Sequence, residues 1–250
     1  MLRGLKVFAV LCCCWEAFCL AGVVPGELLP SPVETGRALW ELAWKGMPPG
    51  HLLHRHALHS LGRVAAGTGL AVLLGIPLGL ALGASARFRS VAQPVINFLR
   101  PIPPLAWIPL AILWFGLGFA SAVYLIFLGA FFPVVLSTCS GVASVERVHV
   151  EALKVLGAGR WAIWRKVLLP GAMPSVLTGV RVGMGIGWMT LVAAEFTGVR
   201  GGYGLGFMIM NARDLQRIDE VVAGMVAIGC IGLAMEWGLA RVSRRLLRWT

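Results

Sequence analysis

Charged residues are scarce in this chain. They make up 13% of its 250 residues, whereas 58% are hydrophobic. A soluble domain carries roughly 25% charged residues, so this deficit indicates a membrane protein. The net charge of +11 does not indicate nucleic-acid binding, because the basic residues form short blocks between apolar runs and lack interleaved aromatic residues.

The signatures of several kinds of site are missing. No pair of C-x2-C motifs is present, and the six cysteines lie in apolar runs, which predicts packing residues rather than a disulfide framework or a metal site. The chain has no G-x4-G-K-[ST] loop for ATP phosphates and no H-E-x-x-H motif. It also has no Ser-centred motif on a Gly-rich turn and no paired carboxylates, so we expect a protein that is not itself an enzyme.

Long apolar runs dominate the rest. They lie at about 4–24, 60–86, 91–117, 120–143, 170–195 and 217–240. A membrane span needs ~20 residues, so the sequence predicts an all-α protein with six transmembrane helices. We divide it into residues 1–59, a first helix plus an outer segment, and residues 60–250, a five-helix core.

The third run is interrupted by prolines. Five of them fall between Pro94 and Pro109. Backbone groups freed by such breaks must face protein or a water-filled path, so we expect this run to line a path.

The positions of Lys and Arg predict the orientation. With the N-terminus inside, the inner segments hold thirteen of them and the outer segments seven. Both termini are therefore predicted to be cytoplasmic. Arg3 and Lys6 precede the first run as in a signal peptide, but no small-x-small cleavage pattern follows, so a retained helix is preferred.

The longest outer segment spans residues 25–59. Val33, Leu39, Trp40 and Leu42 suggest a short amphipathic helix at the membrane interface. Four histidines follow, at positions 51, 54, 56 and 59. No two of them are four residues apart, so interfacial polar residues are preferred over a metal site, which stays open as an alternative.

The segment 145–169 is polar and basic between two apolar runs. Lys154, Arg160, Arg165 and Lys166 would each be unfavourable in hydrocarbon, so it must face water. We predict one helix from Val145 to Leu156, ended by Gly157, and a second from Arg160 to Leu168. An ordinary basic loop would explain the charges, but it would not explain the glycines, the two tryptophans or the leading glutamate, which suit a docking element.

This segment resembles the coupling loop of ABC importer permeases. The signature positions are Glu151, Ala152, Leu153, Gly157, Val167, Leu169 and Pro170, with Leu153 where the family usually has alanine. The resemblance extends over nearly the whole chain. Leu29–Leu42, Leu99–Gly118, Gly179–Glu195 and Gly204–Asp214 are similar to the nitrate, taurine and aliphatic-sulfonate branch, and to its taurine permeases most of all.

The resemblance implies a type I ABC importer permease in the bacterial cytoplasmic (inner) membrane. It implies a homodimer, two copies of a separate ATP-binding subunit that holds ATP and Mg, and an extracytoplasmic solute-binding protein, with no cofactor in this chain. The residues implied to couple to the ATPase are Glu151, Ala152, Leu153, Gly157, Ala158, Trp161 and Trp164. The implied substrate is taurine or another sulfonate, with nitrate, bicarbonate and heterocycles left open.

An ATP-independent secondary transporter or channel for small anions is the alternative function. The absence of an internal repeat between the two halves of the sequence argues against it.

Charges within the apolar runs suggest where a path lies. An Arg at the bilayer centre costs about 2.5–3.5 kcal/mol, so Arg100 and Arg181 need a cavity, a carboxylate or an anion. The predicted path or gate residues are Arg100, Pro103, Pro104, Trp107, Arg181, Trp188 and Glu195. A structural pair with a carboxylate or with backbone carbonyls is the alternative for each of these two arginines.

Two glutamates and three glycines also carry expectations. Glu195 is expected to pair with Arg200 or Arg213, or to receive the binding protein, and Glu236 is expected to pair with Arg241. The glycines at 183, 185 and 187 are expected to permit close helix packing.

Overall fold

The computed structural model describes residues 2–22, 28–196 and 202–247. The chain forms two compact units. The first unit consists of Met1–Ser60 and Glu195–Ile231, and the second of Leu61–Ala194 and Gly232–Thr250. The predicted division into residues 1–59 and 60–250 stays a prediction.

The described residues form helices and no strands, which confirms the all-α prediction. The α-helices are α1 Leu2–Leu20, α2 Pro32–Trp44, α3 Leu53–Ala84, α4 Ala86–Leu99, α5 Ile108–Phe115, α6 Phe119–Ala143, α7 Arg147–Val155, α8 Arg160–Ile163, α9 Leu169–Phe196, α10 Leu205–Asp214 and α11 Ile218–Leu246. A 3₁₀ turn, Pro104–Trp107, precedes α5, and a π turn, Trp164–Leu168, joins α8 to α9.

Four continuous helices in the described ranges are long and apolar enough to span a membrane. They are Leu53–Ala84, Phe119–Ala143, Arg160–Phe196 and Ile218–Leu246. Ala86–Leu99 and Pro104–Phe115 pass the same test together but are bent by 82°, which agrees with the predicted proline break. The described residues therefore give four spans, or five if this bent pair forms one span. The sixth predicted span corresponds to α1, whose apolar part, Val10–Leu20, is shorter than a span, so six spans stay a prediction.

Helix α2 of the first unit starts at a capping box. The Ser31 hydroxyl accepts the Glu34 N–H, and the Glu34 carboxylate accepts the Ser31 N–H at 2.8 Å. The predicted short helix is therefore present. One face of this helix packs inside the unit through the buried Leu42, whereas Val33 and Trp40 lie on exposed positions.

Helix α6 lies at the centre of the second unit and is approached closely by glycines. A Cβ added at Gly79 of α3 would lie 2.6 Å from the Thr138 Cβ, and one added at Gly183 of α9 would lie 2.8 Å from the Ala130 carbonyl oxygen. Gly187 also approaches α6, at Ile126. The packing role predicted for Gly183 and Gly187 is confirmed, but Gly185 meets open space.

The polar segment begins with α7 and a tight turn. Gly157 has φ +75°, its N–H donates to the Lys154 carbonyl, and the Ala158 N–H donates to the Leu153 carbonyl, both at 3.0 Å. This pair of bonds is a Schellman motif with Gly157 in the left-handed position, as predicted.

Two prolines lie near the start of α9. Pro170 is the second residue of α9 and lies in its first turn, whereas Pro174 lies inside the helix. Helix continues without a break from Arg160 to Phe196, so the preceding turns lead directly into α9. The π turn ends at Leu168, two residues before Pro170, and the Leu169 N–H donates to the Trp164 carbonyl. An i→i+5 turn changes the local carbonyl register, which relieves the clash that proline makes in a regular helix.

Candidate translocation path and coupling segment

A cavity of about 550 Å³ lies beside the bend in the second unit. Three of the predicted path residues, Arg100, Pro104 and Trp107, line it together. Its other walls come mainly from α6 and α9 and are largely apolar, being formed by Leu99, Ile102, Tyr124, Leu128, Gly129, Phe132, Pro133, Leu136, Ser137, Val182 and Ile186. The proline break therefore opens a cavity at the place where the sequence predicted a path.

Arg100 is the charged group of this cavity wall. It caps the end of α4, where its backbone N–H donates to the Ile96 carbonyl at 2.9 Å, and its side chain is exposed. Among the described residues, no carboxylate lies within ion-pair distance of Arg100. A guanidinium at an apolar wall offers several N–H donors to an anion, and such charge-assisted hydrogen bonds are strong.

Arg181 lies elsewhere in the second unit. Its guanidinium donates to the Glu236 carboxylate of α11, so the structural alternative is confirmed for this residue. The predicted Glu236–Arg241 pair is wrong, because the Arg241 guanidinium lies 4.9 Å over the Trp237 ring instead.

Two other predicted path residues do not line the cavity. Trp188 packs against a core cluster that contains Val64, Ile126 and Leu191. Pro103 is exposed and precedes the 3₁₀ turn. The prolines at 103 and 104 thus have different roles, with Pro103 at the start of the turn and Pro104 on the wall.

Glu195 belongs to the first unit and is only 1% exposed. The Ser60 hydroxyl donates to its carboxylate at 2.8 Å, and the Gly206 N–H donates to it at 2.9 Å. Gly206 is in the first turn of α10, where a carboxylate is favoured by unpaired N–H groups and the helix dipole.

A path-lining or partner-receiving role for Glu195 is therefore corrected to a buried capping role. Arg213 pairs with its neighbour Asp214 instead, and the alternative partner, Arg200, lies outside the described residues.

Three histidines of the first unit, His51, His56 and His59, lie around the ring of Tyr203. His51 and His59 stack on Tyr203, with ring centroids 4.3 and 4.9 Å apart. His56 is buried, with Nε2 3.0 Å from the Met47 carbonyl and Nδ1 3.0 Å from the Gly204 N–H, so for this residue the interfacial expectation is wrong. In the described part of the chain, no cluster of three His, Cys, Asp or Glu side chains could hold a metal.

Arg217 connects the start of α11 with α2 inside the first unit. It lies 2.8 Å from Glu220, 3.3 Å from Asp219 and 3.8 Å from Glu41. The hydrogen bond to Asp219, and then the charge of Glu220, raises the pKa of Arg217 above its ordinary value, although partial burial opposes this. The guanidinium therefore stays charged and links α2 to the start of α11.

The polar segment presents only part of its predicted coupling set. Glu151, Ala152 and Gly157 are exposed, and Trp161 is 74% exposed. Leu153 and Ala158 are half-buried. Trp164 turns inward and packs against the cluster of Leu80, Val142, Ala172 and Val176.

Sequence reasoning missed two exposed apolar residues of the polar segment. Val155 and Leu156 are 87% and 79% exposed, immediately before the Gly157 turn. Two adjacent apolar residues at the end of a short polar helix were the available signal. An exposed apolar pair of this kind suits a protein contact.

The chain matches a family described as binding-protein-dependent transport system inner membrane component, over residues 71–248. It is 40% identical over 249 residues to the taurine transport system permease protein TauC of Escherichia coli (strain K12), covering 98% of this chain and 89% of that protein. It is 36% identical to the putative aliphatic sulfonates transport permease protein SsuC of Bacillus subtilis (strain 168), covering 99% and 87%.

A solved structure shares the fold. A chain of the MetNI methionine ABC transporter superposes with a TM-score of 0.69 at 19% identity, covering 78% of this chain and 95% of that one. With the family match across the span-bearing region and two permease relatives across nearly its whole length, this chain belongs to the binding-protein-dependent transport system inner membrane components, the permease subunits of ABC importers.

Proposed function

We propose that this chain forms the path by which a small organic anion, taurine or another sulfonate, enters the cell in an ATP-driven importer. Arg100 carries the substrate part of this proposal, because it is a cation without a described carboxylate partner on an otherwise largely apolar wall. The names of the two permease relatives, for taurine and aliphatic sulfonates, support the same substrate class.

The cavity suits transient binding of such an anion. The sulfonate group would accept hydrogen bonds from Arg100, while Pro104 and Trp107 offer apolar contact to its carbon chain. Arg181 contributes no free charge, because Glu236 already neutralises it. A single cation holds an anion weakly enough for release, which a transport path requires.

ATP hydrolysis is assigned to a separate subunit, present in two copies, that holds ATP and Mg. We assign its docking surface to Glu151, Ala152, Val155, Leu156, Gly157 and Trp161, which are exposed around the Gly157 turn. Leu153 and Ala158, of the same segment, are half-buried and offer less area for docking. Trp164 joins the turn to the core cluster, so it transmits motion and does not itself dock.

The remaining partners follow from the same assignment. A second copy of this chain completes the path, and an extracytoplasmic solute-binding protein delivers the substrate. Both termini and the coupling segment lie on the cytoplasmic side, because the inner segments hold most of the Lys and Arg.

Reconstitution tests the whole proposal. The purified chain is placed in liposomes together with its ATP-binding subunit. ATP is supplied on the side of that subunit, and the binding protein with labelled taurine is supplied on the opposite side of the membrane. Uptake is expected with ATP and not with a non-hydrolysable analogue. Uptake driven by an ion or substrate gradient in the absence of ATP would instead support the secondary transporter.

A further inference from the structure

A second, smaller cavity in the second unit lies between α9 and α11, apart from the Arg100 cavity. Its volume is about 240 Å³, and its walls carry two guanidinium groups and two hydroxyls. The lining residues are Leu177, Thr178, Arg181, Leu239, Ala240, Ser243 and Arg244. None of these residues lines the Arg100 cavity, so the proposed path does not account for their polar groups.

The electrostatics of this cavity favour one negative charge. Arg181 is neutralised by Glu236, but its guanidinium has further N–H groups. Arg244 makes only a long contact of 3.4 Å to the Ala240 carbonyl, and no carboxylate among the described residues pairs with it. The Thr178 hydroxyl already donates to the Pro174 carbonyl, which leaves Ser243 as the hydroxyl donor. The set suits a phosphodiester, which carries a single negative charge.

The outer face of α11 indicates what carries that phosphate. Leu233, Trp237, Ala240 and Arg244 follow the i, i+4, i+7, i+11 spacing of one helix stripe. Leu233 and Trp237 are exposed large apolar residues, and Arg244 comes last, near the end of the helix. The order of aliphatic residue, Trp and Arg matches the passage from hydrocarbon through the interface to the headgroups.

We propose that this groove between α9 and α11 binds an anionic phospholipid. The phosphate lies between Arg244 and Arg181 with Ser243 as a donor, and an acyl chain follows Trp237 and Leu233. Basic pockets between helices at a membrane surface are a general means of holding such headgroups. The bound lipid bridges α9, which continues from the coupling segment, to α11. This inference does not depend on the transported substrate or on ATP.

Native mass spectrometry of the full chain tests the site. The chain is released from nanodiscs of phosphatidylcholine with a minor fraction of phosphatidylglycerol, and the retained lipids are counted. For the unmodified chain, the retained lipids are expected to contain a larger fraction of phosphatidylglycerol than the nanodisc does. Arg244→Gln is expected to lower that enrichment about fivefold, the effect of one Arg near a membrane surface.

Arg245→Gln is the matched control, because it removes the same charge one residue away, outside the cavity. Arg244→Lys should restore part of the enrichment, and Ser243→Ala should lower it by a smaller factor, so the test does not depend on one variant folding. Equal losses for Arg244→Gln and Arg245→Gln would overturn the proposal. Displacement of the lipid by millimolar glycerol phosphate would also overturn it, since the site would then recognise a soluble phosphate.

Discussion

At the scale of single residues, the arginines of the apolar runs divide into two kinds. Arg181 has a carboxylate on a neighbouring helix, whereas Arg100 faces an apolar cavity without one among the described residues. The same type of side chain connects two helices in one place, whereas in the other we propose that it contacts the transported anion. Sequence position alone does not separate these roles, because both residues lie in apolar runs.

Arg100→Gln should weaken the apparent affinity for the transported anion. Loss of a charge-assisted hydrogen bond costs roughly 1.5–3 kcal/mol, which corresponds to a rise of about 10- to 150-fold in the half-saturating concentration. The half-saturating concentration is measured from uptake into the reconstituted liposomes. Arg100→Lys should recover part of the loss, and Arg87→Gln, an exposed position away from the cavity, should have no effect. An unchanged half-saturation in Arg100→Gln would contradict this role.

Gly204→Ala should destabilise the first unit. The added Cβ would lie 2.6 Å from the Glu195 carboxylate carbon, inside the buried network that caps α10. Overpacking of this kind costs about 1–3 kcal/mol. Thermal unfolding in detergent measures the change, with Gly62→Ala as the control because a Cβ there meets nothing within 4 Å.

At the scale of elements, glycines determine how closely the spans of the second unit approach. Gly179 and Gly183 are four residues apart on α9 and both lie against α6. Gly67, Gly75 and Gly79 of α3 do the same on another part of α6. Without hydrophobic attraction between helices in lipid, such close contact is a main source of helix association.

Gly183→Leu should disrupt this packing, and Gly185→Leu should not. A side chain at 183 would enter the α6 backbone at Ala130, whereas position 185 faces open space. The expected loss at 183 is about 1–3 kcal/mol from overpacking. The melting temperature of the purified chain in the same detergent compares the two variants directly, and equal melting temperatures would contradict the close approach.

The coupling segment allows another matched pair. Gly157→Ala places a Cβ at φ +75°, which costs about 1–2 kcal/mol, whereas Gly159 has an ordinary φ of −69° and open space around it. Co-purification of the ATP-binding subunit should fall for Gly157→Ala and persist for Gly159→Ala. A normal complex with both variants would place the docking surface elsewhere.

The two tryptophans of this segment should behave differently. Trp161→Ala should reduce ATPase co-purification without changing the melting temperature, because the side chain is largely exposed. Trp164→Ala should lower the melting temperature, because it removes an aromatic side chain from the core cluster around Leu80 and Val176. If Trp161→Ala lowered the melting temperature and Trp164→Ala reduced only the co-purification, Trp164 would be the docking residue and Trp161 the core residue.

At the scale of the whole molecule, the proposed orientation in the membrane rests on charge and on the position of the proposed coupling segment. Thirteen Lys and Arg residues fall in the predicted inner segments, and the ATP-binding subunit can act only from the side where ATP is present. The chain belongs to the permease family by its match over residues 71–248, which contain that segment.

Thiol labelling of intact cells should confirm this orientation. After replacement of the native cysteines, Lys45→Cys should react with a membrane-impermeant maleimide in intact cells, and Lys154→Cys only after permeabilisation. Both side chains lie in exposed positions of the chain, so accessibility does not limit the reaction. Labelling of position 154 in intact cells would reverse the proposed topology.

The sequence by itself determined the class of this protein. Long apolar runs, few charges and the spacing from Glu151 to Pro170 were enough for an all-α permease with a polar segment, and Gly157 marked its turn. The proline cluster likewise predicted the bend beside Arg100. These features are local, because they depend on hydropathy, backbone restrictions and residue spacing within one segment.

Only the tertiary structure decided which side chains meet. It paired Arg181 with Glu236, 55 residues away, and buried Glu195 with Ser60, 135 residues away. It also turned Trp164 into the core and left Val155 and Leu156 exposed. Such outcomes depend on which helix faces another and at what height. A single sequence does not contain that information in its local pattern, because the partner lies on a different helix.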